Sequence, residues 1–404
     1  MALMPVADAL AAVLSGADGL PEEMVALDLA YRRVLARDLA ALRTQPPQAM
    51  SAMDGYALRA ADAAHAGARL KVIGEIAAGR PFDRVVGPRQ AVRIFTGGVV
   101  PDGADAVIIQ EDAAAEGDGI VVTEAAVPGR HIRRAGVDFN QGDILLKAGG
   151  QLTDRDLSLA ASMNHPRLPV HRRPKVALLA TGDELVMPGE TPGPGQIVYS
   201  NGYALRALAR AEGADVVDLG IAADTLAATT SGIRRARDAG ADILITTGGA
   251  SVGDHDLVKR ALDAEDVAMA FWRIAMRPGK PLMHGRLGEM RVLGLPGNPV
   301  SSYVCAFLFL VPLIRKLCGR VTVHHTTESA LLAVDVAAND QRQDYLRARL
   351  AARDDGALIA TPVHQQDSSL LGNLAAAQAL VVRPPFAPAA RAGSSCDILR
   401  LPAD

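Results

Sequence analysis

Between Pro174 and Gly319 the chain repeats one pattern. A short apolar, β-branched run is followed by a loop dense in glycine, proline and acid, and then by a stretch with helical spacing. The runs are Val176–Ala180, Val216–Gly220, Ile243–Thr246, Met269–Ile274 and Val292–Leu295, and the helical stretches are Tyr203–Ala211, Leu226–Ala239, Asp256–Leu262 and Pro299–Leu317. Strands that alternate with helices predict a parallel, doubly wound sheet with both faces covered. In such a sheet ligands bind beyond the carboxyl ends of the strands. The loops expected there are Thr181-Gly182-Asp183-Glu184-Leu185, the turn at Asp224, the stretch from Thr246 to Asp256, Arg277-Pro278-Gly279-Lys280-Pro281, and Leu295-Pro296-Gly297-Asn298-Pro299.

The flanks have a different texture. Spacing of Val25, Leu27, Leu29, Val34 and Leu35 predicts helix between Val6 and about Leu42. Leu70–Ile76, Ala91–Phe95, Ala106–Gln110 and Ile120–Val122 read as short strands of a small β domain. Helix returns from Gly149 to Leu168, with Asp156–Met163 as its body, so the β domain is read as an insertion into a helical linking domain. Beyond Gly319, Leu331–Val336, Tyr345–Leu350, Leu358–Pro362 and Leu380–Val382 are strand-like. The expected division is 1–45 with 146–173 (linking and dimerisation), 46–145 (inserted β), 174–320 (α/β) and 321–404 (C-terminal β). A chain of 404 residues is long enough for several cores.

Charge narrows the ligand class. With 42 basic against 45 acidic residues there is no cationic excess for nucleic acid. Three cysteines without Cys-x-x-Cys spacing argue against a disulfide framework and against a zinc site. Met1–Leu20 reads as a helix rather than a signal peptide, and the apolar stretch ending at Leu317 is interrupted by Ser301, Ser302 and Pro312, so no membrane span and a cytoplasmic protein are expected. At the predicted strand ends Glu184, Asp224, Asp254 and Asp256 offer hard oxygen ligands, while Arg277 and Lys280 offer positive charge. That combination suits a magnesium–phosphate ligand. Asp254 and Asp256 equally suit the start of the helix that follows. Asn298-Pro299 reads as an N-cap and a first-turn proline, with free N–H groups for an anion. Ser51–Ala57, Phe95-Thr96-Gly97-Gly98 and the charged turn at Arg133, Arg134 and Asp138 are further polar turns in the β domain. Neither a G-x-x-x-x-G-K-[ST] loop nor a G-x-G-x-x-G after the first strand is present.

These strings, in this order, resemble the molybdopterin molybdenumtransferase family, to which the C-terminal domain of gephyrin is related. They are SAMDGYA (51–57), RIFTGGVVPDGADAVIIQE (93–111), IRRAGVD (132–138), TGDEL (181–185), TTGGASVGDHD (246–256), RPGKP (277–281) and LPGNPVS (295–301). The resemblance implies an α/β domain of the molybdopterin-binding type, a C-terminal β-barrel and a homodimer. It implies insertion of molybdenum from molybdate into adenylylated molybdopterin with release of AMP, dependence on Mg²⁺, and transient contacts with molybdopterin adenylyltransferase and with cofactor-accepting enzymes. It assigns Glu184, Asp224, Asp254 and Asp256 to the metal–phosphate site. It assigns Gly248, Gly249, Ser251, Arg277, Lys280, Pro296, Asn298, Pro299 and Ser368 to substrate binding. Asp54, Thr96 and Arg133 come from the β domain. The chain departs from the family pattern at Tyr199, where an acid is usual, at Ser369, where glycine usually follows Ser368, and at Gln378, where asparagine is typical. An adenylyltransferase with the same α/β domain and a non-catalytic gephyrin-like scaffold are the alternative readings.

Overall fold

A computed structural model describes residues 3–248 and 257–402. The α/β unit holds a six-stranded sheet. Its strands are β1 (Lys175–Thr181), β2 (Asp215–Ala222), β3 (Ile243–Thr247), β4 (Ala268–Trp272), β5 (Met283–Leu287) and β6 (Met290–Leu295), in the order β2-β1-β3-β6-β5-β4. Contacts β1/β2, β1/β3 and β3/β6 are parallel, whereas β5 runs antiparallel to both neighbours. The sheet is therefore mixed, not wholly parallel as expected. Gly288 at φ +58 sits in the tight turn that reverses the chain between β5 and β6, and β5 contains His284, Gly285 and Arg286, which hides its strand character. Two reversals leave β4 parallel to β6, so the carboxyl ends of five strands still share one edge.

Along the chain the longer helices are α1 (Val6–Leu14), α2 (Asp154–Ser162), α3 (Asn201–Ala211), α4 (Leu226–Asp238), α5 (Leu257–Ala264) and α6 (Pro299–Leu317). One sheet face is covered by α4 and α5, through Ile233, Ala236, Val258 and Leu262. The other is covered by α3 and α6, through Leu205, Leu208, Val304, Phe307 and Ile314. Burial on both faces explains why β1 and β3 read as continuous apolar runs. Helix α6 is the one described helix long and apolar enough to cross a membrane, yet 83% of that window is buried inside the protein. Its backbone widens to π geometry over Ala306–Leu310, just before Pro312, which has no N–H to donate.

The first helical expectation needs correction. Only α1 is regular helix there, and its Ala9 and Val13 belong to the α/β core, not to the segments that follow. Glu22–Ala26 pairs antiparallel with Arg167–His171, and Leu39–Ala40 pairs with Ile144–Leu146. Val25, Leu27 and Leu35 thus point into a compact unit of strands and turns, closed by α2, with Leu35, Phe139, Leu152, Met163 and Leu168 buried, whereas Val34 turns to the α/β core. Apolar spacing alone did not distinguish these bends from a helix. α2 opens on a capping box, with Thr153 Oγ1 accepting from Asp156 N and Asp156 Oδ2 accepting from Thr153 N at 2.8 Å.

Between the paired Gln45 and Phe139 the chain makes a separate six-stranded sheet, whose strands include Gly55–Leu58, Arg69–Ile76, Gln90–Ile94 and Ala106–Ile109. The C-terminal strands Thr327–Leu332, Gln343–Ala352, Leu358–Pro362, Ala379–Arg383 and Ser395–Arg400 close into a barrel, because Gln343–Ala352 pairs with both Leu358–Pro362 and Ala379–Arg383.

Glu212, just after α3, ties α3 to the end of α6. Arg315 Nε and Nη2 donate to its carboxylate at 2.9 and 2.8 Å, and Arg320 Nη1 donates at 3.0 Å. Burial alone would raise the Glu212 pKa; the Arg315 hydrogen bonds and the charges of both arginines outweigh it and hold the group below its ordinary value. Its stabilisation is therefore present above pH 4.5, the ordinary glutamate value, and is lost as the pH falls through the depressed one. Glu212→Gln is expected to destabilise the protein by about 3–5 kcal/mol, since two largely buried guanidinium groups lose their counter-charge. Urea unfolding at pH 7 measures this, and a loss under about 1 kcal/mol would mean that solvent replaces the carboxylate.

Candidate active site

The strand-end edge opens into a cavity of about 790 Å³. It lies at the carboxyl ends of the neighbouring parallel strands β1 and β3, which finish at Thr181 and Thr247. Thr181, Glu184, Thr247, Gly248, Lys280 and Asn298 are among its lining. Four loops drawn from distant parts of the sequence meet here because the sheet gives their strands one direction.

Close backbone approach shapes the floor. Gly248 has φ +89, and a Cβ there would lie 2.2 Å from the Thr181 carbonyl oxygen. A Cβ on Gly297 would lie 3.7 Å from Gly248 Cα, so the loops after β3 and β6 run side by side. Pro296 is buried, and Pro299 begins α6. Asn298 stands at the cap position, but its side chain makes no cap bond. Its Nδ2 donates instead to Ser368 Oγ at 3.0 Å, and Val300 N donates to the Ser368 carbonyl at 3.0 Å. Ser368 therefore docks the barrel segment onto the α6 entrance, while the neighbouring Ser369 lines the cavity. Asp367 Oδ1 accepts from Ser369 N at 2.8 Å and Ser369 Oγ at 2.6 Å, and these bonds, the hydroxyl first, hold its pKa below the usual carboxylate value.

The two cations of the RPGKP turn have different fates. Lys280 lines the cavity, is exposed, and has no ion-pair partner among the described residues. Gly279, at φ +111, lets the turn pack on Cys305, whose Sγ would lie 2.4 Å from an added Cβ. Arg277 does not line the cavity. Its Nε donates to Asp344 Oδ1 at 2.9 Å and its Nη2 to Asp344 Oδ2, and Met276–Arg277 pairs as a short strand with Gln343–Asp344 of the barrel. Asp344 is 3% exposed, so Arg277 compensates a buried charge.

Glu184 is exposed at the rim, its carboxylate folded beside Gly182, whose φ of +145 favours glycine. Asp224 is also exposed but does not line the cavity. Its N donates to Asp183 Oδ1 at 3.0 Å, and Asp183 N donates back to Asp224 Oδ2 at 3.4 Å. Asp54, Thr96 and Arg133 all belong to the inserted domain, where Asp54 and Thr96 meet, and none of the three lines the cavity. Thr96 N and Oγ1 each donate to Asp54 Oδ1 at 2.7 Å, and these bonds, the backbone one first, lower the Asp54 pKa. Arg133 is exposed on the strand that pairs with Met50–Ser51. Gly249, Ser251, Asp254 and Asp256 lie outside the described residues. Among the described residues no three His, Cys, Asp or Glu side chains form a metal-holding group.

Matches to family models cover most of the chain. Residues 4–164 match the MoeA N-terminal region (domain I and II), 177–316 a probable molybdopterin binding domain, and 329–401 the MoeA C-terminal region (domain IV). The molybdopterin molybdenumtransferase of Haemophilus influenzae is 36% identical over 362 residues, 89% of each chain. That of Bacillus subtilis is 35% identical over 370 residues, 90% of this chain and 86% of that one. The chain belongs to the molybdopterin molybdenumtransferase family. Two crystal structures of the molybdopterin biosynthesis moeA protein of Pyrococcus horikoshii superpose with TM-scores of 0.88 and 0.83, at 29% and 28% identity, covering 100% and 99% of this chain and 100% of those chains.

Sequence reading of this transferase family member missed several cavity residues. Ser200, Asn201, Thr247 and Ser369 line the cavity, and Asn201 Nδ2 donates to the Gly297 carbonyl at 2.8 Å. Ile197 and Val198, 57% and 43% exposed, form an apolar flank. Ser200-Asn201 ahead of an apolar helix was the available signal. Arg347 gave none. It lies in a barrel strand, fully buried, and its three guanidinium nitrogens have no partner among the described residues. Its backbone exchanges two hydrogen bonds of 3.0 Å with the Gln366 side chain, close in sequence to Ser368 and Ser369.

Gly248→Ala is expected to cost about 1–3 kcal/mol from the positive φ and the clash with Thr181. A crystal structure of the variant should show the Thr181 and Gly297 backbones pushed apart; an unmoved loop at full stability would mean that neither the approach nor the φ requires glycine there.

Proposed function

We propose that this cavity inserts molybdenum from molybdate into adenylylated molybdopterin and releases AMP. The observation that carries the reading is the Lys280 ammonium, without an ion-pair partner among the described residues, beside the Gly248 and Pro296–Asn298 backbones, with the Glu184 carboxylate on the same rim. Lys280 neutralises phosphate or molybdate oxygens, and the α6 entrance supplies backbone N–H groups. Molybdate is an oxyanion, so it needs such donors rather than thiolates; the sulfur ligands of the product come from the pterin dithiolene. The flank of Leu185, Ile197 and Val198 suits a planar ring of the substrate. Arg347 is a second cation for the oxyanion, because a fully buried guanidinium without an acceptor is costly until an anion meets it.

The donor set fits Mg²⁺. Glu184 and Asp224 are exposed carboxylates near the strand ends, and all three cysteines are buried and unpaired. Glu184 and Asp224 would hold the ion, with Asp254 and Asp256 as the further ligands assigned by family likeness. The bound ion would offset charge on the phosphoanhydride oxygens. Free, buried thiols accord with a reducing, cytoplasmic setting. Transient contacts with the adenylyltransferase that supplies the substrate and with cofactor-accepting enzymes follow from the same reading.

AMP release from adenylylated molybdopterin, followed with Mg²⁺ and molybdate, tests the function. Wild type should release AMP only with both present, and Lys280→Ala should lower kcat/KM about 100-fold, as expected for loss of a charge contact made in the transition state. No AMP above background from folded protein rules the reading out, and pyrophosphate formed from MgATP and molybdopterin would point to the adenylyltransferase instead.

The Asp54, Thr96 and Arg133 group calls for a second subunit. It is built like a site, with a carboxylate kept ionised, but does not line its own chain's cavity. A two-fold homodimer in which each inserted domain completes the partner's cavity reconciles the two. The exposed Leu29, Tyr31, Leu42 and Ile144 of the linking unit offer apolar area for such an interface. Mixing Asp54→Ala with Lys280→Ala subunits should restore activity toward a quarter of wild type, since random exchange makes half the dimers mixed and each then keeps one intact site. Mass spectrometry verifies the exchange; mixed dimers no more active than their parents exclude shared sites.

A further inference from the structure

A second cavity, of about 460 Å³, lies where the linking unit, the end of α6 and the barrel meet. It shares no lining residue with the strand-end cavity. Residues 149–151 form one wall, Arg315 and Arg320 a second, and Glu328 and Arg400 a third.

Guanidinium groups outnumber carboxylates around it. Arg315 and Arg320 divide the single Glu212 carboxylate between them. Arg400 meets Glu328 through Nε alone, at 2.7 and 2.9 Å, so its terminal nitrogens have no partner among the described residues. The Arg320 side chain is 12% exposed, and its Nε is buried without an acceptor among the described residues. Burial, and behind it the charges of Arg315 and Arg32, keep the Arg320 pKa below the ordinary arginine value despite Glu212. His325 adds no counter-charge. It stacks on Phe307 with ring centroids 3.8 Å apart and is kept neutral, its pKa pushed down to about 4 chiefly by burial. Thr322 and Thr326 contribute exposed hydroxyls to the lining.

A surplus of positive charge, a buried N–H without an acceptor and flanking hydroxyls are the donor set of an oxyanion site. We propose that this junction cavity binds a tetrahedral oxyanion of the phosphate class, held by Arg400 and the threonine hydroxyls beside the charge of Arg320, and so bridges the linking unit, the α/β unit and the barrel. The site is separate from the transferase cavity and does not depend on the reaction assigned there.

Inorganic phosphate, molybdate and AMP represent the three sources of this chemistry. Equilibrium dialysis measures each against wild type, the double variant Arg400→Gln/Thr322→Val, and Lys280→Ala. An Arg320 variant would strip a partner from Glu212 and is avoided; Arg400 and Thr322 are exposed, and melting temperature verifies folding. At least one anion should bind saturably, about tenfold more weakly to the double variant and unchanged to Lys280→Ala. The anion that does so identifies the source. The proposal is overturned if none of the three binds at millimolar concentration, or if the double variant leaves every affinity unchanged.

Discussion

A strand buried on both faces can carry no polar function along its length, and this constraint governs the molecule. β1, β3 and β6 are apolar almost throughout, covered by α4 and α5 on one side and by α3 and α6 on the other. Polar chemistry is thereby driven to the strand ends. Because these three strands are parallel, the ends that matter coincide, and Thr181, Thr247 and Pro296 arrive side by side. The glycines there serve that convergence. Gly248 packs against the Thr181 carbonyl, leaving no room for a side chain there, and Gly297 lies alongside Gly248.

The barrel is joined to this edge at two places. Ser368 accepts from Asn298 and from the backbone of Val300, and Arg277 compensates the buried Asp344 beside a short strand pairing. The RPGKP turn thus divides its charges: Arg277 fastens the barrel, and Lys280 stays available to a ligand. Glycine at 279, packed on Cys305, sets the path between them. The Arg347 guanidinium, without a hydrogen-bond partner among the described residues, belongs to the strand bonded to Gln366 and feels the charge of Asp367, so the barrel brings a cation of its own to the docked 366–369 segment.

Much of the α/β unit was legible in the sequence. Observed bounds of β1, β3, β6, α4 and α6 lie within a residue or two of the apolar runs, because double burial imposes unbroken Val, Ile and Leu. Glu184, Gly248, Lys280, Asn298 and Pro299 were expected at the strand-end loops, where ligands bind in such a sheet, and all five line the cavity. Strand β5 was missed, since a half-polar strand in a hairpin lacks that signature. The segment from Glu22 to Leu42 was misread as helix, since bends can place apolar residues at helical spacing by contact with remote chain. Leu35 is buried by Phe139 and Leu168, more than a hundred residues away.

What the sequence by itself determined was the family, the alternation of strand and helix in the α/β unit and the residue types at its edge, because local burial and turn chemistry are written in short strings. Tertiary structure alone decided which of those residues act together. Arg277 and Lys280 are three residues apart and indistinguishable in the sequence, yet one meets a buried aspartate 67 residues on and the other faces a cavity. Arg347 carries no motif, and the lack of a hydrogen-bond partner for its guanidinium among the described residues becomes visible only when the barrel has closed around it. Asp54 and Thr96 join through a contact spanning 42 residues. Such pairings depend on long-range packing that encloses charges and removes water from them, and no local pattern records which charges will be enclosed together.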